Sequence, residues 1–140
     1  MREINGMAPV RMAKDVWTAK ATPLEEDEQE AIFQWAELQS GTHPSLRMIY
    51  AIPNGGYRSP KTAAAMKKTG VKSGVPDMCL AVPMDQHHGL YIELKRRKGG
   101  RLSENQIDWL ERLEAEGYAC VVCKGWEEAV EAIKHYLNIR

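Results

Sequence analysis

The stretch from Gly74 to Lys95 holds residue types whose spacing could do chemistry. It reads Gly-Val-Pro-Asp-Met-Cys-Leu, then a short insert, then Tyr-Ile-Glu-Leu-Lys. Asp77 opens one apolar run, and Glu93 and Lys95 close the next. Strand residues two apart point to one face, about 6–7 Å apart along the chain. Glu93 and Lys95 are therefore expected side by side, with Leu94 pointing the other way into a core. If the two strands pair, Asp77 joins them. Two carboxylates and one ammonium then converge on one spot. Such a set can hold a hard divalent cation and present a water to a phosphodiester. The bland alternative is an exposed edge strand whose Glu-x-Lys serves solubility, with Asp77 as a turn former after Pro76.

These residues need a scaffold, and the chain can supply one. Its 140 residues suffice for a single domain with a real core. Apolar and charged fractions of 44% and 27% are ordinary for a soluble globular chain. No apolar run approaches the roughly 20 residues of a membrane span, so no membrane partner is expected. Met1 to Asn5 lead into no apolar core, so no secretory leader is visible. Three cysteines, Cys79, Cys120 and Cys123, suit a reducing cytoplasm better than a disulfide scaffold.

The net charge is zero, but its distribution is uneven. Residues 1–40 hold four Lys/Arg against eight Asp/Glu, residues 41–102 hold eleven against three, and residues 103–140 hold four against eight. Between Thr42 and Pro76 there is no acid, while Arg47, Arg58, Lys61, Lys67, Lys68 and Lys72 all fall there. Arg96 and Arg97 continue the basic zone past Lys95. This zone contains the candidate carboxylates and has the electrostatic footprint of a polyanion-binding surface.

Residues 1–23 lack periodicity and read as an arm, with one domain over 24–140. Leu24 to Gln39 reads as a helix with Ile32, Phe33, Trp35, Ala36 and Leu38 on a broad apolar face and acids in its first turn. Arg47 to Ile52 reads as a short strand, followed by the turn Pro53-Asn54-Gly55-Gly56. Ser59 and Pro60 start a small helix through Lys68. Asp77–Val82 and Gly89–Lys95 read as strands. Ser103 and Gln106 form a capping box for a helix through Glu116. Tyr118–Cys123 is a strand, and Trp126–Leu137 the last helix. The expected fold is α/β, a mixed sheet flanked by helices.

Cys120-x-x-Cys123 lacks the second pair that a zinc site needs, and within a strand its two thiols face opposite sides. Both cysteines are expected to fill space. His87-His88 is expected in a solvated connection. Trp109 and Trp126 are expected to pack rather than stack on bases.

In their order along the chain, these motifs resemble the VRR-NUC family of the PD-(D/E)XK nuclease superfamily. The matching residues are Glu25-x-x-x-Gln29 with Trp35, Pro53-Asn54-Gly55-Gly56-x-Arg58, Gly70-Val71-Lys72-x-Gly74-Val75-Pro76-Asp77, Ile92-Glu93-Leu94-Lys95 and Leu102-Ser103-x-x-Gln106-x-x-Trp109. The short form looks most like those carried by bacteriophages and prophages. The resemblance implies a restriction-endonuclease-like fold and a nuclease dependent on Mg²⁺ or Mn²⁺, with no organic cofactor. It makes Asp77 and Glu93 metal-binding acids, and the Leu94 carbonyl and Glu25 further ligands. Glu26, Glu28 and Glu30 are open alternatives to Glu25. It makes Lys95 the residue that orients the attacking water, and Gln106 a support of the site. Asn54, Arg58, Lys61, Lys67, Lys68, Lys72, Arg96 and Arg97 are expected to contact DNA. Some members of this type act on four-way junctions as homodimers, others on flaps. The rival expectations are a nucleic-acid-binding module that does not cut and a protein–protein adaptor.

Overall fold

The computed structural model describes residues 24–53 and 59–140. The arm over 1–23 and the turn residues Asn54 to Arg58 lie outside them. Helix α1 (Glu25–Gln39) is followed by a 3-10 turn (Pro44–Met48) and strand β1 (Ile49–Ala51). Then come α2 (Pro60–Lys68), β2 (Met78–Leu80), β3 (Leu90–Lys95), α3 (Glu104–Ala115), β4 (Ala119–Lys124) and α4 (Trp126–Leu137). The strands form one sheet in the order β1-β2-β3-β4. β1/β2 and β2/β3 are antiparallel, and β3/β4 is parallel. The parallel pair requires a crossover, which α3 provides.

The expected class is observed: a mixed α/β sheet flanked by helices. One face presents Ile49, Met78, Leu80, Leu90, Ile92 and Leu94 to Ile32 and Trp35 of α1 and to Val130 and Ile133 of α4. The other face carries Asp77, Glu93 and Lys95, and α3 lies over part of it. Burial of the first face, with Trp126 and Leu46 also enclosed, supplies the main favourable term of folding. Cys123 joins this core, whereas Cys120 lies on the α3 side, its thiol facing the Leu110 carbonyl. The expectation that the two thiols face opposite ways is met.

Two local differences from the sequence reading have simple causes. Arg47 and Met48 belong to the 3-10 turn rather than to a strand. Pro44 fixes φ at the start of that turn, and the turn buries Leu46. The apolar face of α1 is narrower than expected, because Leu38 faces solvent. Its buried stripe is Glu28, Ala31, Ile32, Trp35 and Ala36. The two predicted caps form: Ser59 accepts from the Thr62 amide, and Ser103 from the Gln106 amide. Among the described residues no helix is long and apolar enough to cross a membrane.

Candidate active site

Asp77 ends the Gly-Val-Pro-Asp turn and immediately precedes β2. Its carbonyl accepts from the Ile52 amide at 2.8 Å, extending the β1/β2 pairing by one step. Its side chain continues the other ladder, with Oδ2 accepting from the Leu94 amide at 2.7 Å. The carboxylate is thereby fixed beside β3. Gly74, three residues earlier, has φ +90°, and a Cβ there would lie 2.7 Å from Cβ of Asn105. Only glycine lets this turn rest against the start of α3 without strain.

Glu93 follows the strand period onto the Asp77 side, and Leu94 turns into the core at 0% exposure. Glu93 Oε2 accepts from Gln106 Nε2 at 3.1 Å and lies 3.6 Å from Lys95 Nζ. Gln106 also accepts from the Ser103 amide through Oε1, at 2.8 Å. The capping box and the carboxylate support are thus one side chain. The expected Asp77, Glu93, Lys95 and Gln106 set is assembled in space.

The bland alternative, an exposed edge strand whose Glu-x-Lys serves solubility, does not hold: β3 lies inside the sheet, and Glu93 is 1% exposed and Lys95 9%. Glu93 Oε1 is buried without a hydrogen-bond partner. Burial, reinforced by the Asp77 carboxylate and only partly offset by Lys95, pushes Glu93 up to about 8. Burial also raises Asp77, against the pull of the Leu94 amide, Glu93 and Lys95. In the metal-free protein the two acids therefore favour keeping a proton between them.

A stability prediction follows. The unfolded chain loses the Glu93 proton near the ordinary 4.5, and the folded chain loses it only near 8. Between those values the folded state binds more protons, so metal-free stability should fall as pH rises. The thermal midpoint in chelator should be lower at pH 8.5 than at pH 5.5. A higher midpoint at the alkaline end would contradict the assignment.

Of the four acids considered on α1, Glu25 and Glu28 have distinct places. The charge of Glu25 reaches Glu93. Glu28 is buried and bound elsewhere: Arg97 donates to it through Nε at 2.6 Å and through a terminal nitrogen at 2.9 Å. Arg97 also pairs with Glu127, and the Trp126 amide donates to Glu28. Gly125, with φ +92°, passes so close that a Cβ would lie 2.7 Å from the Arg97 guanidinium carbon. The expectation that Arg97 faces DNA therefore gives way to an interior role, because two buried carboxylates hold its guanidinium. Arg97 ties the starts of α1 and α4 to the end of β3.

Lys61, Lys67, Lys68, Lys72 and Arg96 are exposed, the first three on α2. Asn54 and Arg58 fall outside the described residues. Trp126 packs in the core as expected. His87 and His88 are exposed.

Among the described residues, no three His, Cys, Asp or Glu side chains are grouped closely enough to hold a metal ion unaided. The donors present still suit one. Two carboxylates, one with an unpartnered buried oxygen, are hard donors of the kind that Mg²⁺ and Mn²⁺ prefer.

The model of the VRR-NUC domain family matches residues 18–127. This chain belongs to that family. The chain is also similar to a solved structure described as a VRR_NUC domain protein. The two are 28% identical with a TM-score of 0.72, over 84% of this chain and 91% of the other. A search of curated proteins finds no match. VRR-NUC is a nuclease domain, so nucleic acid is the implied substrate class. Within this VRR-NUC domain the Asp77/Glu93 pair lies inside the matched span.

Proposed function

We propose that this VRR-NUC domain hydrolyses phosphodiester bonds in DNA with Mg²⁺ or Mn²⁺ held by Asp77, Glu93 and the Leu94 carbonyl, and with Glu25 of α1 adding negative charge from farther off. The observation that carries this reading is the buried Asp77/Glu93 carboxylate pair, in which Glu93 Oε1 meets no donor from the rest of the described chain. Such an oxygen is costly to leave unsatisfied. When bound, the cation would supply positive charge to the reacting phosphate and acidity to a water. Gln106 holds Glu93 by one oxygen and leaves the other for the ligand role. The Leu94 amide likewise fixes Asp77 by Oδ2 alone. Lys95 places a compact positive charge next to both, where it can orient a water and steady a phosphate oxygen.

Lys61, Lys67, Lys68, Lys72 and Arg96, joined by Asn54 and Arg58, are proposed to grip the phosphate backbone. Replacing one of these lysines with alanine should weaken binding alike on all sequences. Each lost contact should flatten the log-affinity against log-salt slope by about 0.9 on duplex DNA. A changed sequence preference with an unchanged slope would argue against backbone contact.

The substrate we favour is branched DNA, a four-way junction or a flap. A junction has approximate two-fold symmetry, and the simplest matching assembly is a C2 homodimer. Its interface would draw on the acidic flanking regions, which repel DNA. A phage or prophage origin and action in the host cytoplasm accompany this reading. The deciding experiment offers labelled junctions, flaps, nicks and linear duplexes with Mg²⁺, Mn²⁺, Ca²⁺ or chelator. Cutting should need Mg²⁺ or Mn²⁺, and Ca²⁺ should support little of it. Light scattering should give about twice the chain mass of 15.8 kDa. Full activity in excess chelator would remove the metal site. A strict monomer that cuts flaps and spares junctions would remove the junction-cutting homodimer.

A further inference from the structure

One line of residues on the active-site face has no part in the chemistry above. The strand register places Tyr50, Cys79, Tyr91 and Cys120 in a single row across all four strands. Tyr91 stands two residues before Glu93, and Cys79 two residues after Asp77. The row therefore shares the face of the carboxylates and lies about 6–7 Å from them. Its α3 end is covered, where the Cys120 thiol meets the Leu110 carbonyl. Its other end lies on β1, the edge strand, and there Tyr50 is 49% exposed.

The rings extend as a ridge. Tyr118 meets Tyr91 edge-on at 5.3 Å, and His88 meets Tyr118 at 5.6 Å. Cys79 is buried between the Tyr50 and Tyr91 positions. The Tyr50 hydroxyl interacts with its thiol, which pushes that phenol up to about 12. A tyrosine is in any case neutral at pH 7, so Tyr50 does not repel a phosphate. Along the sequence Tyr50 falls inside the acid-free stretch between Thr42 and Pro76, the same stretch that carries the lysines proposed to track the backbone.

From this we infer that the Tyr50 end of the ridge is a stacking platform for an unpaired nucleobase next to the scissile phosphate. An aromatic face beside a positive surface is the combination that holds single-stranded nucleic acid, because every base has a π-face to stack. An intact duplex keeps its bases stacked on each other and cannot use it. The platform thus directs the site to DNA with a single-stranded flank. This inference rests on the nuclease reading above, but its test does not need cleavage.

The full chain is titrated in chelator with a labelled oligothymidylate of about 12 nucleotides and with a blunt duplex. Tyr50→Ala should weaken oligothymidylate binding by about 5- to 100-fold and duplex binding by less than about twofold. Tyr50→Phe keeps the ring and should stay within about twofold of the wild type on both. The salt slope should be unchanged, since no phosphate contact is lost. Tyr50→Leu retains apolar area without a π-face and should behave like Tyr50→Ala, which keeps the test valid if the alanine variant unfolds. The inference fails if the wild type ignores oligothymidylate, or if Tyr50→Leu binds as well as the wild type. It also fails if single-stranded and duplex binding fall together, or if Tyr50→Phe loses as much as Tyr50→Leu. A dimer that falls apart on Tyr50→Leu would mean that a second copy covers the ridge. Stacking without any cutting in Mn²⁺ would preserve the platform and remove the nuclease reading. Cutting of flaps unaffected by Tyr50→Leu would do the reverse.

Discussion

Glu93→Gln is expected to yield a folded protein that no longer cuts. The substitution keeps shape and hydrogen-bonding capacity beside Gln106, but it removes one of the two charges proposed to hold the cation. Loss of such a group, or of the positioned Lys95, typically lowers a rate by about 10²–10⁴-fold. The same change should raise metal-free stability at pH 8. The wild-type chain must there either ionise a buried acid or retain a proton against the solvent. A variant gaining stability while losing activity is the mark of a site strained for function. Asp77→Asn should lose activity and Mn²⁺ affinity together. Lys95→Ala should lose activity but still take up Mn²⁺, as read by calorimetric titration. Near wild-type cutting by Lys95→Ala would dismiss its proposed role.

Arg97→Met should have the largest effect on stability. Its guanidinium sits between Glu28 and Glu127, both buried, and Glu28 also holds the Trp126 amide. Removing it leaves two carboxylates without their cation, a change that costs about 3–5 kcal/mol where one partner of a buried pair is deleted. Urea unfolding of the variant measures the loss. Adding Glu28→Gln and Glu127→Gln should restore much of it, because the stranded charges are gone. A loss below about 1 kcal/mol, typical of a surface pair, would mean that the network is not buried in solution.

Much of the site was legible because it depends on local periods. Alternation along β3 sends Glu93 and Lys95 one way and Leu94 the other. The Ser103/Gln106 spacing announces a helix start whatever it packs against. The mixed sheet follows from the order of runs and turns, and Pro44 and Leu46 account for the shortened β1. What escaped depends on tertiary cover. Alternation tells which face a residue takes, not what lies over that face, so the burial of Glu93 and Lys95 beneath the α3 side was invisible. Arg97 was grouped with the basic zone by charge, yet its partner Glu28 stands 69 residues away. One signal was available. Glu28 shares the helical stripe of Ile32 and Trp35, and an acid on a buried stripe needs a cation to meet it.

The amide of Gln106 has two ends with opposite demands. The helix start needs an acceptor for the Ser103 amide, and Glu93 needs a donor. Glutamate could cap the helix equally well but would set a negative charge against Glu93. Asparagine, one methylene shorter, would have to span both partners with less reach. Leucine would match the volume and satisfy neither. The position therefore leaves mutation almost no neutral neighbour. A drifting lineage cannot retune the helix and the carboxylate separately, since any change to one is inherited by the other.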